Sequence, residues 1–148
     1  MAEVIRGTAL SGFTDLVGSL GGDGTAILAK VGIDPRSAGD FQRYISYRAV
    51  CAALHEASTD RACPDFALQL QRKQGIDVLG PVAVIIRHSQ TVADALTGVR
   101  RYLHTCAPAD VIELRSGETT TIYTFKIDVA QLAHREFMVE KSMATSVA

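Results

Sequence analysis

The sequence predicts an α+β domain that is predominantly helical, with about six to seven helices and a β-hairpin near residues 110–127. Two observations predict this class. Before Pro108, apolar residues recur every three or four positions, which is the period of amphipathic helices. After Pro108 the period changes to two, and two alternating runs flank Ser116-Gly117-Glu118, which is typical of a hairpin turn.

Composition limits the classes of protein to consider. The chain has 148 residues, of which 47% are hydrophobic and 21% charged, and this predicts a single globular domain over residues 1–148. A net charge of −1 provides no electrostatic footprint for nucleic acid, so direct DNA binding by this chain is disfavoured. No run approaches the roughly 20 apolar residues that a membrane-spanning helix needs.

The first half of the chain is predicted to be helical. The first helix is predicted by a stripe of apolar residues at helical spacing: Leu10, Phe13, Val17 and Leu20. A second short helix is expected from Thr25 to Val31. Ser46 is a good N-cap for a third helix, and a fourth is expected to begin near Pro64 and to stop at Gln74-Gly75.

The central stretch is the most apolar part of the chain. The run Val82–Ile86 is short and β-branched, so its periodicity is compatible with a buried helix and with a central strand. A longer amphipathic helix follows, and it carries an apolar stripe of seven residues: Val92, Ala95, Leu96, Val99, Tyr102, Leu103 and Cys106. Pro108 is expected to stop this helix.

The last third contains the hairpin and a final helix. The predicted strands are 110–115 and 119–127, and the face of the second strand that carries Tyr123, Phe125 and Ile127 is expected to turn toward the core. Helical patterning resumes at His134 and runs to Ala148 without a stop signal, so the chain is expected to be cut within or after this helix.

Signatures of catalysis are lacking. The sequence contains no GxSxG, GxxxxGK[ST], GxGxxG or HExxH, and it predicts neither an enzyme nor a cofactor. Cys51 and His55 are spaced to share a helix face, but zinc would need two further ligands, so no metal site is predicted. With three cysteines and no secretory signal, reduced thiols in the cytoplasm are expected, and Cys63 is the thiol expected to be accessible.

The order of motifs carries a family resemblance. CPDFAL is followed by a short glycine-containing link, then LGPVAVIIRHS, then a helix that ends RYLHTCAP, while GFTDL near the start and the hairpin after Pro108 also fit. Over most of its length the chain resembles the N-terminal, arabinose-binding-like domain of AraC-type transcriptional regulators, with the closest likeness to actinobacterial members. This resemblance favours a helix over Val82–Ile86 and implies a C-terminal helix-turn-helix unit that is absent here.

The resemblance implies a non-enzymatic domain that senses a small-molecule effector and forms a homodimer, and that contacts DNA only through the absent unit. The unpaired edges of the hairpin also favour self-association. Candidate ligand-binding residues come from the predicted inward faces, with His104 as a polar contact: Leu79, Val82, Ile86, Tyr102, His104, Tyr123 and Phe125. This apolar set favours a lipid-like or aromatic effector over a free sugar.

Two other functions remain open from the sequence. The domain could be an oligomerisation or protein-interaction module with a filled core, which the presence of a cavity of a few hundred Å3 would disfavour. It could also be a thiol- or metal-dependent sensor that uses Cys51, His55 or Cys106.

Overall fold

A computed structural model describes residues 3–147 and confirms the α+β class. Within this range the protein has seven α-helices and two small antiparallel sheets of two strands each. The elements follow in this order: β1 (Val4–Arg6), α1 (Phe13–Ser19), α2 (Gly24–Lys30), β2 (Tyr44–Ser46), α3 (Tyr47–Asp60), α4 (Phe66–Gln74), α5 (Pro81–Arg87), α6 (Val92–Tyr102), β3 (Asp110–Ser116), β4 (Thr121–Ile127) and α7 (Arg135–Ser146).

The sheet formed by β1 and β2 was not predicted. Ile5 pairs with Ile45 at its centre, and both side chains are buried. Each strand has only three residues, which is too short for an alternating pattern to stand out in the sequence. This sheet brings the start of the chain against the segment that leads into α3.

The predicted first helix begins later than its apolar stripe suggested. Leu10 lies in a 3-10 turn (Gly7–Leu10), and α1 begins only at Phe13. Gly12 separates the two, because it adopts a left-handed conformation with φ of 76° that few other residues tolerate. Leu10, Phe13 and Val17 of the stripe are buried, but they belong to two elements, the 3-10 turn and α1.

Most of the other predicted helices are confirmed with small shifts. Ser46 caps α3 by accepting a hydrogen bond of 3.2 Å from the amide of Ala49. The run Val82–Ile86 is helical in α5, which begins at Pro81. The long amphipathic helix ends at Tyr102 and not at Cys106, because the chain tightens into a 3-10 turn over Leu103–Thr105.

The hairpin matches its predicted position closely, with Ile112 opposite Phe125 and Ser116 opposite Thr121. Helix α7 follows and ends at Ser146. Val147 is the C-cap of this helix, and of the predicted continuation only Ala148 lies outside the described residues.

The densest core lies among α1, α3 and α4. Phe13 and Phe66 meet there edge to face with ring centroids 5.5 Å apart, and both are fully buried. In contrast, α6 contributes no buried residue although it is strongly amphipathic. Part of its apolar stripe, such as Val92, is exposed, and Leu96 and Val99 are only half-buried. Within residues 3–147, none of the helices has the length and apolarity needed to cross a membrane.

Candidate ligand-binding cavity

A cavity of about 410 Å3 occupies the space beneath α6. One wall consists of α5, α6 and the 3-10 segment Gly75–Leu79, and the opposite wall consists of the β3–β4 hairpin and α7. This volume lies within the range of roughly 300–1,000 Å3 that is typical of small-molecule sites.

The wall formed by α5 and α6 is apolar, and the two helices pack closely against each other. The hydroxyl of Thr91 caps α6 by accepting a hydrogen bond of 3.0 Å from the amide of Asp94. Gly98 lets the two helices approach, because a Cβ at this position would lie 2.8 Å from a methyl group of Ile85. The apolar side chains that line the cavity on this side include Leu79, Ile86, Ala95, Leu96, Val99 and Leu103.

Hydrogen bonds close the end of the cavity near the N-terminal strand. The hydroxyl of Thr8 donates to the carbonyl of Val78 at 2.8 Å, and the thiol of Cys106 donates to the carbonyl of Leu79 at 3.1 Å. Arg6 donates from Nε to the carbonyl of Thr105 at 2.8 Å. Arg6 of β1 and Thr8 of the following 3-10 turn are thus bonded to the segments at the two ends of the α5–α6 unit, and the bond of Cys106 joins those two ends to each other.

The hairpin presents the face that its alternation predicted. Tyr123 and Phe125 line the cavity, Ile127 is buried, and Ile122 on the other face is 57% exposed. The hydroxyl of Tyr123 shares a hydrogen bond of 2.8 Å with that of Ser146, which fixes the end of α7 against β4.

Charged groups line the cavity where β3 meets α7. The carboxylate of Asp110, the first residue of β3, accepts a hydrogen bond of 2.6 Å from the hydroxyl of Tyr47. Burial raises the pKa of Asp110 to about 7, although the Tyr47 hydrogen bond and the nearby charge of Lys141 act in the opposite direction. Burial also lowers the pKa of Lys141 to about 8, against the attraction of Asp110.

Four of the seven predicted ligand-binding residues line this cavity: Leu79, Ile86, Tyr123 and Phe125. The other three lie elsewhere. Val82 is buried, at 1% exposed, but does not line the cavity, Tyr102 is 38% exposed, and His104 is at the surface. Tyr102 is the last residue of α6, and its side chain is exposed, whereas the stripe residues Leu103 and Cys106 that follow it line the cavity.

Among the described residues, the thiols and histidines are not arranged as a reactive site. Cys63, predicted to be accessible, is only 8% exposed, and its thiol donates to the carboxylate of Asp65 at 3.4 Å. Burial raises the pKa of Cys51 to about 12. His55 stacks on His134 with ring centroids 3.7 Å apart. Between residues 3 and 147 there is no group of three or more His, Cys, Asp or Glu side chains placed to hold a metal ion.

Sequence reasoning missed the charged residues of the cavity, Arg6, Asp110 and Lys141. A signal for Lys141 was present, because it lies three residues after Met138 and four before Thr145 and therefore shares their helix face. No comparable signal marked Asp110, which begins a strand that looks like an ordinary hairpin edge.

Comparison with known proteins identifies a family and relatives that match most of this chain. The family described as the arabinose-binding domain of AraC transcription regulator, N-term, matches residues 21–148. Two relatives carry the name HTH-type transcriptional regulator VirS, from Mycobacterium tuberculosis strains CDC 1551 / Oshkosh and ATCC 25618 / H37Rv. Each is 33% identical to this chain over 131 residues, which cover 88% of this chain and 38% of the relative.

Proposed function

Since the chain belongs to the family of arabinose-binding N-terminal domains of AraC transcription regulators, we propose that it binds a predominantly apolar effector in the cavity beneath α6. Members of this family are ligand-sensing regulatory domains of transcription regulators. The proposal concerns the place and the chemistry of the ligand. The family description names arabinose, whereas the apolar lining of the cavity in this chain favours an apolar ligand.

The observation that carries the proposal is the unfilled apolar stripe of α6. An amphipathic helix of a globular domain normally buries its apolar stripe against the core. Here the stripe residues Leu96 and Val99 face a cavity of about 410 Å3. A ligand with an apolar body would fill this space and remove the stripe from water, at roughly 25 cal/mol for each Å2 of apolar surface buried.

We further propose that the domain forms a homodimer and that the effector acts on the arrangement of the two copies. The β3–β4 hairpin has no third strand among the described residues, so its edges are available for pairing with another chain. Because the cavity lies between the α5–α6 unit and the hairpin, its filling would bias their relative position. A ligand shifts such an equilibrium only by its difference in affinity for the two arrangements, typically about 1–3 kcal/mol.

The chain spans 38% of the length of the VirS relatives, so DNA recognition is proposed for a part of the regulator outside this chain. The small net charge of −1 agrees with this division. We place the domain in the cytoplasm, in keeping with its three free cysteines. The cavity favours a ligand-binding domain over an interaction module with a filled core, and the raised pKa of Cys51 disfavours a thiol sensor.

Native mass spectrometry of the purified chain tests both proposals in one measurement. We expect a dimer, and we expect any retained ligand to appear as excess mass that is lost on denaturation. A bare protein would then be titrated with N-phenyl-1-naphthylamine, a neutral apolar fluorophore, which we expect to bind saturably at a single site per chain.

The outcomes separate the two proposals. A monomer across the micromolar range would contradict dimerisation and leave ligand binding to the titration. A dimer that carries no ligand and gives no saturable fluorescence with the probe would contradict an apolar binding cavity, and would favour an interaction module.

A further inference from the structure

The side of the cavity formed by α7 differs from the α5–α6 wall. Five residues of α7 line the cavity at helical spacing: Met138, Lys141, Ser142, Thr145 and Ser146. The first is apolar and the other four are polar. Opposite them are the apolar side chains of α5 and α6. The cavity is therefore two-sided, with one wall suited to hydrocarbon and the other to a polar group.

Lys141 is the most unusual member of the polar wall. It is 4% exposed, yet within residues 3–147 its ammonium group makes no side-chain hydrogen bond and no ion pair within 4 Å. Burial of Lys141 disfavours its charged form, but its ammonium nitrogen is not among the fully enclosed, unpartnered polar atoms of the described residues, and Lys141 lines the cavity. The structure therefore holds a donor for three hydrogen bonds that the described residues leave unused.

The other charged groups that face the cavity are already engaged. Arg6 donates to the carbonyls of Thr105 and Phe41, at 2.8 and 3.2 Å. Asp110 accepts the hydrogen bond of Tyr47, and its raised pKa keeps much of it neutral near pH 7. Lys141 therefore dominates the charge that a ligand would meet on this wall.

We propose that the effector is an amphiphilic anion whose carboxylate accepts hydrogen bonds from Lys141, while its apolar body lies against α5 and α6. The inference rests on the proposed function, since it assigns the polar end of a ligand in the same cavity. An anion fits better than a neutral group because a carboxylate both pairs with the ammonium charge and accepts its hydrogen bonds. A cationic amphiphile would place a second positive charge beside Lys141 and is disfavoured.

The test uses ligands of equal length and different charge. N-phenyl-1-naphthylamine reports occupancy of the cavity, and decanoate, decanol and decylamine are titrated as competitors at neutral pH and concentrations below micelle formation. We expect decanoate to displace the probe at least about tenfold more tightly than decanol, because a hydrogen bond to a charged group is worth that factor or more. Decylamine should be the weakest of the three.

A substitution assigns the preference to one side chain. Lys141→Met keeps the length of the side chain and removes its charge, so it should abolish the advantage of decanoate over decanol while decanol binding is retained. Lys30→Met is the matched control, because Lys30 is an exposed lysine paired with Glu56 on the surface of α2. This control should leave all three affinities unchanged.

The outcomes distinguish this inference from the proposed function. Equal displacement by decanoate and decanol in the wild-type protein would overturn the anionic effector and leave the apolar cavity standing. A decanoate preference that survives in Lys141→Met would overturn the role of Lys141. Failure of the probe and of every competitor to bind would overturn the proposed function and, with it, this inference.

Discussion

The hydroxyl of Tyr47 lies 2.6 Å from Oδ1 of Asp110 and donates a hydrogen bond to it. Tyr47 is the first residue of α3 and is fully buried, whereas Asp110 begins β3 at the edge of the cavity. This bond therefore joins the helical core to the hairpin. It also engages Oδ1 of Asp110 before any ligand enters.

Tyr47→Phe tests this link, because it removes the hydroxyl and keeps the ring. We expect the free energy of unfolding to fall by about 1–3 kcal/mol, which is typical when a buried acceptor loses its partner. The loss should be larger above pH 7 than near pH 5. The folded pKa of Asp110 is raised to about 7, so the carboxyl is ionised above that pH and has the greater need of the hydrogen bond.

Urea unfolding of both proteins at several pH values measures this difference. Tyr44→Phe is the control, since the hydroxyl of Tyr44 donates to a backbone carbonyl, that of Thr105, at 3.1 Å and contacts no carboxylate. A loss in Tyr47→Phe that is independent of pH would show that Asp110 does not titrate in this range.

Lys141→Met should stabilise the protein in the absence of ligand. Replacement of a buried charge by an apolar side chain of similar size is often favourable, by about 1–4 kcal/mol. The folded pKa of Lys141 is about 8, below its ordinary value of 10.5, so the cost of its charge is fully present below pH 8 and is lost as pH rises toward 10.5. Above its pKa of about 7, Asp110 is ionised and is stabilised by the charge of Lys141. The substitution removes that charge, so the gain in stability of Lys141→Met falls further.

The gain in stability should therefore be largest near pH 6 and decline at higher pH, as measured by thermal unfolding across a pH series. Lys30→Met should show no such decline over the same range, since Lys30 is 67% exposed. A destabilised Lys141→Met protein would indicate that the ammonium group has a partner in the folded state.

Ala95→Phe is expected to block the cavity while the fold is kept. Ala95 lines the cavity on the face of α6 that meets it, and its larger replacement would occupy the space proposed for the ligand. Ala93→Phe on the exposed face of the same helix is the control. Titration with N-phenyl-1-naphthylamine should show lost binding for the first variant only. Equal binding by both would place the probe outside this cavity.

The helical periodicity allowed most of the fold to be predicted, because helices such as α3 bury a continuous stripe and carry local signals such as the Ser46 cap. The short β1–β2 sheet could not be predicted, since its stability comes from pairing between residues some 40 positions apart. Sequence patterns therefore predicted apolar lining residues on both walls of the cavity, such as Ile86 of α5 and Phe125 of β4.

The polar wall could not be predicted in the same way. The spacing of Lys141 places it on the same face of α7 as Met138, but only the docking of α7 against α4 and β4 decides that this face is buried. Tyr102 illustrates the opposite error. It fits the apolar stripe, but the helix ends at this residue and its side chain is exposed. Tertiary contacts decide both cases.

The three thiols should react slowly in the folded protein. Burial raises the pKa of Cys51 to about 12 and also raises those of Cys63 and Cys106, and the thiolate is the form that reacts. With a disulfide reagent at pH 8, we expect slow modification of native protein and rapid modification of all three after denaturation. Cys63→Ser would identify any fast phase with the thiol nearest the surface. A fast thiol that persists in this variant would contradict the burial of Cys51 or Cys106.

Substitution by alanine is expected to have opposite effects on stability at Gly7 and at Gly18. A Cβ on Gly7 would collide with the carbonyl oxygen of Ser37 and would lie 2.6 Å from that of Asp40, so backbone must move to accept Gly7→Ala. We expect a loss of about 2 kcal/mol or more, in the range of overpacking. Gly18 lies within α1, where a Cβ would meet no atom within 4 Å. Gly18→Ala should therefore stabilise the protein by about 0.5–1 kcal/mol, because alanine loses less entropy in a helix. Thermal unfolding of the pair gives the sign directly, and a neutral Gly7→Ala would mean that the loop carrying Ser37 yields at little cost.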